Sequence, residues 1–393
     1  MAEAAGGRQG FRHAAPRSRR DARSGRQPPG RVPARARAAR ARWDDGAVSA
    51  PTRLAILGST GSIGTQALDV VAQHPDKLRV TRSGHRGDDL VALATAPDVD
   101  LVLVATPGIA ALAATIAALE AGKSIALANK EILVAAGHLI TRLCGGAGER
   151  LRPVDSEHCA LWQCLEGERP ENVARIALTA SGGAFRDRPL LDMASVTPEE
   201  ALTHPTWRMG PKVTIDSATL VNKGYEVVEA RWLYGVPYER IDVVFHPESV
   251  VHAMVELTDG SVMAQLAEPD MRIPIQYALL WERLPSRAPR FDWQRARELR
   301  FGAIEPARYP CLDVVLETAR SGDLGAMAGL SSADEVAVDA FLAREIAFTK
   351  IPDLLKQGAE VGSREARGRA PELAQVLAID AAVRAALAPL AVR

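Results

Sequence analysis

Two acids, Asp155 and Glu157, flank Ser156 in the run "RPVDSEHCALW", just past a short apolar stretch. Read as extended chain, residues two apart project to the same side, so like charges are brought together. Either both are solvated, or a cation lies between them. Further on, Ser217 precedes a helical pattern, "LVNKGYEVVEARWLYG", in which Asn222, Glu226 and Glu229 share a face with Lys223 beside them. Alone, that is a solvated stripe. Together with Asp155 and Glu157, the helix offers a third carboxylate for an all-oxygen site. Oxygen ligation without cysteines or paired histidines suits Mg²⁺ or Mn²⁺ and not zinc.

The elements around these acids read as a nucleotide-binding sheet. "RLAILGSTGSIGTQALDVV" is an apolar strand, a glycine turn and a helix, with Gly58, Gly61 and Gly64 spaced GxxGxxG. Bare backbone there lets a pyrophosphate approach the amides of a helix N-terminus. About 20 residues on, where an NAD site carries an acid for the ribose 2′-hydroxyl, stand Arg82, His85 and Arg86, which suit a 2′-phosphate and hence NADP. The strand "VDLVLVATP", a helix over "IAALAATIAALEAG" and a further strand in "SIALANKEILVAAG" complete a βαβ rhythm and a parallel, doubly wound sheet. Asn129, Lys130 and Glu131 fall at the carboxyl end of that last strand, where such sheets bind ligands, so Lys130 reads as a substrate clamp. Ser181, Gly182 and Gly183 form a donor-rich turn suited to an anion, and His204 and Trp207 sit in a turn-rich segment.

Composition narrows the function classes. The 393 residues carry 48 basic and 48 acidic side chains, so no global basic field points to nucleic acid or an anionic membrane. No run approaches the ~18 apolar residues of a membrane span. Residues 1–50 hold twelve arginines, no lysine and four acids, too little apolar surface to offset ordering entropy, and read as a disordered extension. A start codon placed too early would look like this, as would a plastid transit peptide; otherwise the protein is expected in the cytoplasm. Cys144, Cys159, Cys164 and Cys311 form no metal or disulfide framework and read as reduced thiols.

In order along the chain, "GSTGSIG", "ALANKE", "VDSEH", "TASGG", "HPTWRMG", "IDSATLVNKGYEVVEA", "FHPESVVHAMV" and "GSVMAQLAEPDMR" resemble the 1-deoxy-D-xylulose 5-phosphate reductoisomerases, from about Thr52 to about Gln357. The resemblance implies an NADPH- and metal-dependent enzyme that rearranges and reduces 1-deoxy-D-xylulose 5-phosphate to 2-C-methyl-D-erythritol 4-phosphate in the non-mevalonate isoprenoid pathway. It implies that Asp155, Glu157 and Glu226 hold the metal, Mn²⁺ or Mg²⁺. Lys130, Ser156, Glu157, Ser181, His204, Trp207, Ser217, Asn222, Lys223 and Glu226 would meet substrate, with Lys130 and His204 catalytic beside the three acids. Thr60, Gly61, Ser62, Ile63, Asn129, Glu131 and Gly210 would line the NADPH site. Trp207 and Met209 resemble a flap over substrate, and Met271 lies in the matching "EPDMR" turn.

The sequence also departs from that family. Between the strand near Val80 and the strand at Asp100 the family carries roughly forty more residues, a further strand–helix–strand portion of the nucleotide domain, where this chain has only "TRSGHRGDDLVALATAPDV". Its 2′-phosphate-reading segment aligns loosely with Gly84, His85 and Arg86. A catalytically impaired ligand-binding relative is therefore the alternative. A different NADP-dependent reductase explains neither "VDSEH" nor "NKGYEVVEA".

The expected architecture is α/β. A shortened Rossmann-like domain over 51–150 precedes a catalytic domain with an open sheet over 151–290, and a linker and helical domain over 291–393. The strands in "RIALTA", "DVVFHP" and "VVHAMVEL" are expected to pair two copies as a homodimer.

Overall fold

A computed structural model describes residues 50–85, 87–294 and 298–388. The expectations for the extension before residue 50 and for Arg86 lie outside the described residues. The chain opens with β1 (Thr52–Leu57), α1 (Ser62–Gln73), β2 (Leu78–Gly84), α2 (Leu90–Thr95), β3 (Leu101–Val104), α3 (Leu112–Glu120), β4 (Ser124–Leu127), α4 (Glu131–Cys144) and β5 (Leu151–Pro153). The strands form one parallel sheet in the order β2-β1-β3-β4-β5. The inner strands β1, β3 and β4 are short apolar runs because both faces are covered. Ala55, Leu57, Val102 and Val104 enter one core cluster and Leu54, Ile56, Leu101 and Leu103 the other, the period-2 alternation of a strand.

The second half holds α5 (Ser156–Cys164), β6 (Val173–Ala180), a short α6 (Pro198–Ala201), α7 (Pro211–Thr219), α8 (Val221–Tyr234), β7 (Ile241–Phe245), β8 (Val251–Leu257), β9 (Val262–Leu266) and α9 (Arg272–Leu280). Its sheet runs β7-β6-β8-β9, with β6 and β7 parallel and the other pairs antiparallel. Ala160 and Leu161 of α5 and Val227 and Ala230 of α8 pack against Ile176, Leu178, Ala253 and Val255 of that sheet. α9 crosses back to the first sheet: Ile275, Ala278 and Leu279 join the cluster of Leu54 and Ile56, and Arg272 pairs with Asp69 of α1.

Four helices close the chain: α10 (Pro310–Ser321), α11 (Leu324–Leu342), α12 (Ile351–Ala366) and α13 (Leu373–Leu387). α11 and α12 meet backbone to backbone, since a Cβ on Gly329 would lie 2.2 Å from the carbonyl oxygen of Gly358. The α/β class, the parallel sheet and the C-terminal helices are as expected from the sequence.

Two local readings are corrected. "SIALANKEILVAAG" is not one strand: β4 ends at Leu127 and α4 begins at Glu131, so Asn129 and Lys130 occupy the turn between them. Asp155 and Glu157 do not stand on extended chain. Asp155 (φ −49, ψ 137) is the N-cap of α5 and Glu157 lies in its first turn, so a strand-to-helix turn brings them together.

Candidate active site

The carboxylates of Asp155, Glu157 and Glu226 converge, with one oxygen from each lying within 4.8 Å of the others. Lys130, in the turn before α4, bonds Asp155 and lies 3.9 Å from Glu226 Oε1. Lys223, one turn before Glu226 on α8, reaches Glu157 Oε1 at 2.9 Å and Glu226 Oε2 at 2.5 Å. Asn222 Nδ2 donates to Glu226 Oε1 at 2.7 Å, and the Ser156 hydroxyl donates to Glu157. Burial with Glu157 alongside pushes the Glu226 carboxyl up to about 8. Burial acts the same way on Asp155, but Lys130, His158 and Lys223 together outweigh it and hold that carboxyl well below the usual range. Asp155 Oδ1 is buried without a protein partner, as an oxygen aimed at a cation would be. The three acids fit a divalent ion that accepts oxygen ligands.

A second buried layer backs this set. His158 Nε2 of α5 lies 3.1 Å from Glu229 Oε2 of α8, and with Asp155 the pair forms another compact group. Burial alone would lower the imidazole, but the charge and hydrogen bond of Glu229 together with the charges of Asp155 and Glu226 more than offset it, so the net shift is upward. Because Glu229 is engaged by His158, the stripe on α8 divides, with Glu226 facing the lysines and Glu229 the histidine.

On the far side of Lys223 the pocket is hydroxyl-rich. His204 Nδ1 accepts from the backbone N–H groups of Thr206 (3.1 Å) and Trp207 (2.9 Å). Its proton is therefore on Nε2, which donates toward Ser181 Oγ at 3.0 Å and Ser217 Oγ at 3.1 Å. Ser181 Oγ also accepts from Gly183 N–H at 3.2 Å, which leaves its hydroxyl hydrogen free for an anion. Burial, helped by Arg186, lowers the His204 imidazole to about 4 and keeps it neutral near pH 7. Ser217 sits in the last turn of α7; Leu220, left-handed at φ 58, then turns the chain so that Asn222 and Lys223 at the start of α8 face the same space. Trp207, Met209 and Gly210 contribute one wall segment, and Ser62, Ile63 and Met271 also line the pocket.

The glycine turn joins the pocket at the carboxyl ends of β1 and β3. A Cβ on Gly58, at φ +97, would lie 2.7 Å from the Ala105 carbonyl, and one on Gly64 would lie 2.3 Å from Gly58 O. Only glycine fits, and Thr60, Gly61 and Ser62 are exposed at the α1 N-terminus, where an anion can approach, although the Gly61 N–H already donates to Gly58 O at 3.2 Å. This cradle fits a dinucleotide pyrophosphate. Asn129 and Glu131 do not line the pocket. Asn129 is buried, donating to Thr106 O and Gly108 O (2.7 Å) and accepting from Ile132 N–H (2.8 Å), so it ties the β3 and β4 loops together. Glu131 is buried against Lys212 at 2.8 Å. At the tip of β2, Arg82 pairs with Asp98 at 3.1 Å and His85 Nδ1 with Asp88 at 2.5 Å.

The pocket thus gathers Ser62, Ile63, Lys130, Asp155, Ser156, Glu157, Ser181, His204, Trp207, Gly210, Ser217, Asn222, Lys223 and Glu226, all anticipated from the sequence. Sequence reasoning gave no role to Ser249 and His252, which also line it. Both lie in "FHPESVVHAMV", and only the fold shows their side: His252 lies 5.9 Å from the Trp207 ring, and Ser249 Oγ lies 3.3 Å from Thr206 Oγ1.

Comparison with known proteins agrees over nearly all of the described chain. A profile described as 1-deoxy-D-xylulose 5-phosphate reductoisomerase matches residues 54–85 and 83–137, and two profiles for the C-terminal domains of that family match 151–234 and 266–386. The last runs past Gln357 and takes in α13. The two N-terminal matches overlap at 83–85, at the end of β2. The 1-deoxy-D-xylulose 5-phosphate reductoisomerase of Thermomicrobium roseum is 46% identical over 342 residues, 77% of this chain and 89% of that protein. That of Geobacillus kaustophilus is 43% identical over 378 residues, 84% of this chain and 97% of that protein. Among solved structures, a DOX-P reductoisomerase in complex with NADPH, fosmidomycin and magnesium superposes with a TM-score of 0.79 at 34% identity, over 86% of this chain and 98% of its own. The Zymomonas mobilis reductoisomerase in complex with NADPH gives 0.77 at 35% identity, over 87% and 99%.

Proposed function

The chain belongs to the 1-deoxy-D-xylulose 5-phosphate reductoisomerase family, and on that premise we propose that it converts 1-deoxy-D-xylulose 5-phosphate to 2-C-methyl-D-erythritol 4-phosphate with NADPH and Mg²⁺ or Mn²⁺. The observation that carries this is the adjacency of two unlike sites. A three-carboxylate cluster at Asp155, Glu157 and Glu226 abuts an anion pocket of Ser181, His204, Ser217, Asn222 and Lys223. A phosphorylated hydroxyketone needs both at once.

Asp155, Glu157 and Glu226 would hold the metal, which supplies Lewis acidity toward the substrate's hydroxyl and carbonyl oxygens. NADPH supplies the hydride. The chain's own work is placement. The hydroxyls of Ser181 and Ser217, the Asn222 amide and the Lys223 ammonium grip the phosphate, with His204 setting the two serines. Lys130, kept charged by Asp155 and Glu226, and Ser156 hold substrate oxygens. Trp207 and Met209 close the wall and exclude water. The glycine turn, with Thr60, Gly61, Ser62, Ile63 and Gly210, seats the dinucleotide. Asn129 and Glu131 serve that seat by fixing the loops around it.

The same reading divides the chain from residue 51 into a shortened nucleotide domain over 51–150, a catalytic domain over 151–290 and a linker with a helical domain over 291–393. It also makes the protein a cytoplasmic homodimer. Edge strand β9, with Val262, Met263 and Leu266 exposed, supports pairing through the second sheet, and among the described residues no helix is long and apolar enough to cross a membrane. A monomeric mass by light scattering at micromolar concentration refutes the dimer. NADPH oxidation dependent on both 1-deoxy-D-xylulose 5-phosphate and Mn²⁺ tests the activity; no turnover at saturating cofactor overturns it.

A further inference from the structure

Outside the pocket lining, three carboxylates from three helices meet around one ammonium. Lys212 Nζ lies 2.6 Å from Asp216 Oδ2, 2.6 Å from Asp334 Oδ2 and 2.8 Å from Glu131 Oε1. It also stands 5.1 Å over the ring of Tyr225. Glu131, Asp216, Asp334 and Tyr225 are all buried. Such a cluster costs desolvation energy that a hydrophobic core would not, so its place in the fold matters. Glu131 follows Lys130, Asp216 precedes Ser217, Tyr225 precedes Glu226, and Lys212 comes two residues after Gly210. Each therefore adjoins a pocket residue along the chain. The exception is Asp334, which comes from α11 in the C-terminal helices.

α7 needs such an anchor. It has nine residues, no side-chain bond at its N-cap Gly210, and a left-handed break at Leu220. A helix that short does not hold itself in place. Its first turn carries Lys212 and its last turn carries Ser217, with the Trp207–Gly210 wall leading directly into it. A shift at Lys212 moves both. The metal acids lie on α5 and α8 and are held separately by Lys130 and Lys223.

We propose that Lys212 and Asp334 are positioning residues for substrate binding, an ion pair that pins α7 to the C-terminal helices and so sets the seat of Ser217 and the exit of the Trp207 wall. The inference rests on the reductoisomerase reading. Burial, and for Asp216 the neighbouring Asp334, pushes both carboxyls up, while Glu131 is held down by Lys212 against the effect of its own burial. One ammonium thus faces more carboxyls than it can neutralise, and Asp334→Asn keeps an oxygen for Lys212 while shedding a surplus acid.

The test compares Asp334→Leu with Asp334→Asn. In Asp334→Leu the KM for 1-deoxy-D-xylulose 5-phosphate, and its Kd by calorimetry without NADPH, rise about tenfold, while kcat stays within about twofold and Mn²⁺ affinity is unchanged, the pattern of lost uniform binding. Asp334→Asn restores KM and Kd to within about twofold of the native protein. If Asp334→Leu does not fold, Lys212→Gln takes its place with the same split expected. Unchanged KM and Kd in the folded variant overturn the proposal, as does a parallel fall of kcat, Mn²⁺ affinity and melting temperature, which is the mark of a merely structural cluster. A native protein that neither binds nor turns over this substrate refutes the reductoisomerase reading instead.

Discussion

His204 Nε2 lies 3.1 Å from Ser217 Oγ, across a turn that separates the two residues by 13 positions. The bond requires a neutral ring whose Nδ1 accepts backbone N–H groups, and burial depresses the imidazole to about 4. A histidine with a lowered folded pKa contributes stability that is fully present above its unfolded value, near 6.5, and lost as pH falls toward 4. Carboxylates lose stability over part of the same range, so the informative quantity is a difference. The gap in melting temperature between the native protein and His204→Asn is expected to shrink from pH 7 to pH 4.5. A gap independent of pH refutes the neutral-histidine assignment.

Removing a carboxylate from the three-acid cluster should separate function from folding. Asp155→Ala and Glu226→Ala are expected to keep the native circular dichroism spectrum and lose at least about a hundredfold in turnover, more than outer-layer changes cost. Mn²⁺ binding followed by electron paramagnetic resonance should weaken in parallel. Native-level activity at limiting Mn²⁺ in either variant removes the metal assignment.

The dinucleotide site is held securely at one end only. The glycine cradle is intact, but Arg82 is paired with Asp98 and His85 with Asp88, so among the described residues the tip of β2 offers little free positive charge for a 2′-phosphate. The exposed contacts that remain are screened by salt. Calorimetric titration should show weak NADPH binding, a small preference over NADH and a marked fall in affinity with added salt. Tight, salt-insensitive and strongly NADPH-selective binding refutes this.

The contact between α11 and α12 depends on absent side chains. A methyl group at Gly329 would lie 2.2 Å from Gly358 O and 2.8 Å from Gly362 Cα, both backbone atoms that cannot rotate away. Gly329→Ala is expected to cost about 3 kcal/mol and lower the melting temperature by several degrees, whereas Gly148→Ala, with open space around it, should change it little. Equal effects at the two positions contradict the close approach.

Residue types and local order determined much of this protein from the sequence alone. Gly64 announces a turn no side chain can enter, because its clash with the Gly58 carbonyl is local, whereas the clash at Gly58 is with Ala105, 47 residues away, and belongs to the fold. Asp155, Glu157, Ser217, Asn222 and Lys223 stand in motifs long enough to show the family, so the chemistry was legible before any fold. What the tertiary structure decided concerns partners far apart in sequence. Glu226 and Glu229 lie three residues apart with the same charge, and sequence treats them as one stripe. The fold puts one between two lysines and the other on His158. Asn129 and Glu131 stand among the expected cofactor contacts by position, and only the fold shows that their side chains bond Gly108 and Lys212. Asp334 showed no sign of bearing on the site, being 122 residues from the Lys212 it pairs with. Charge pairing is a property of distance in space, and a buried charge takes whichever partner packing delivers, which no local pattern records.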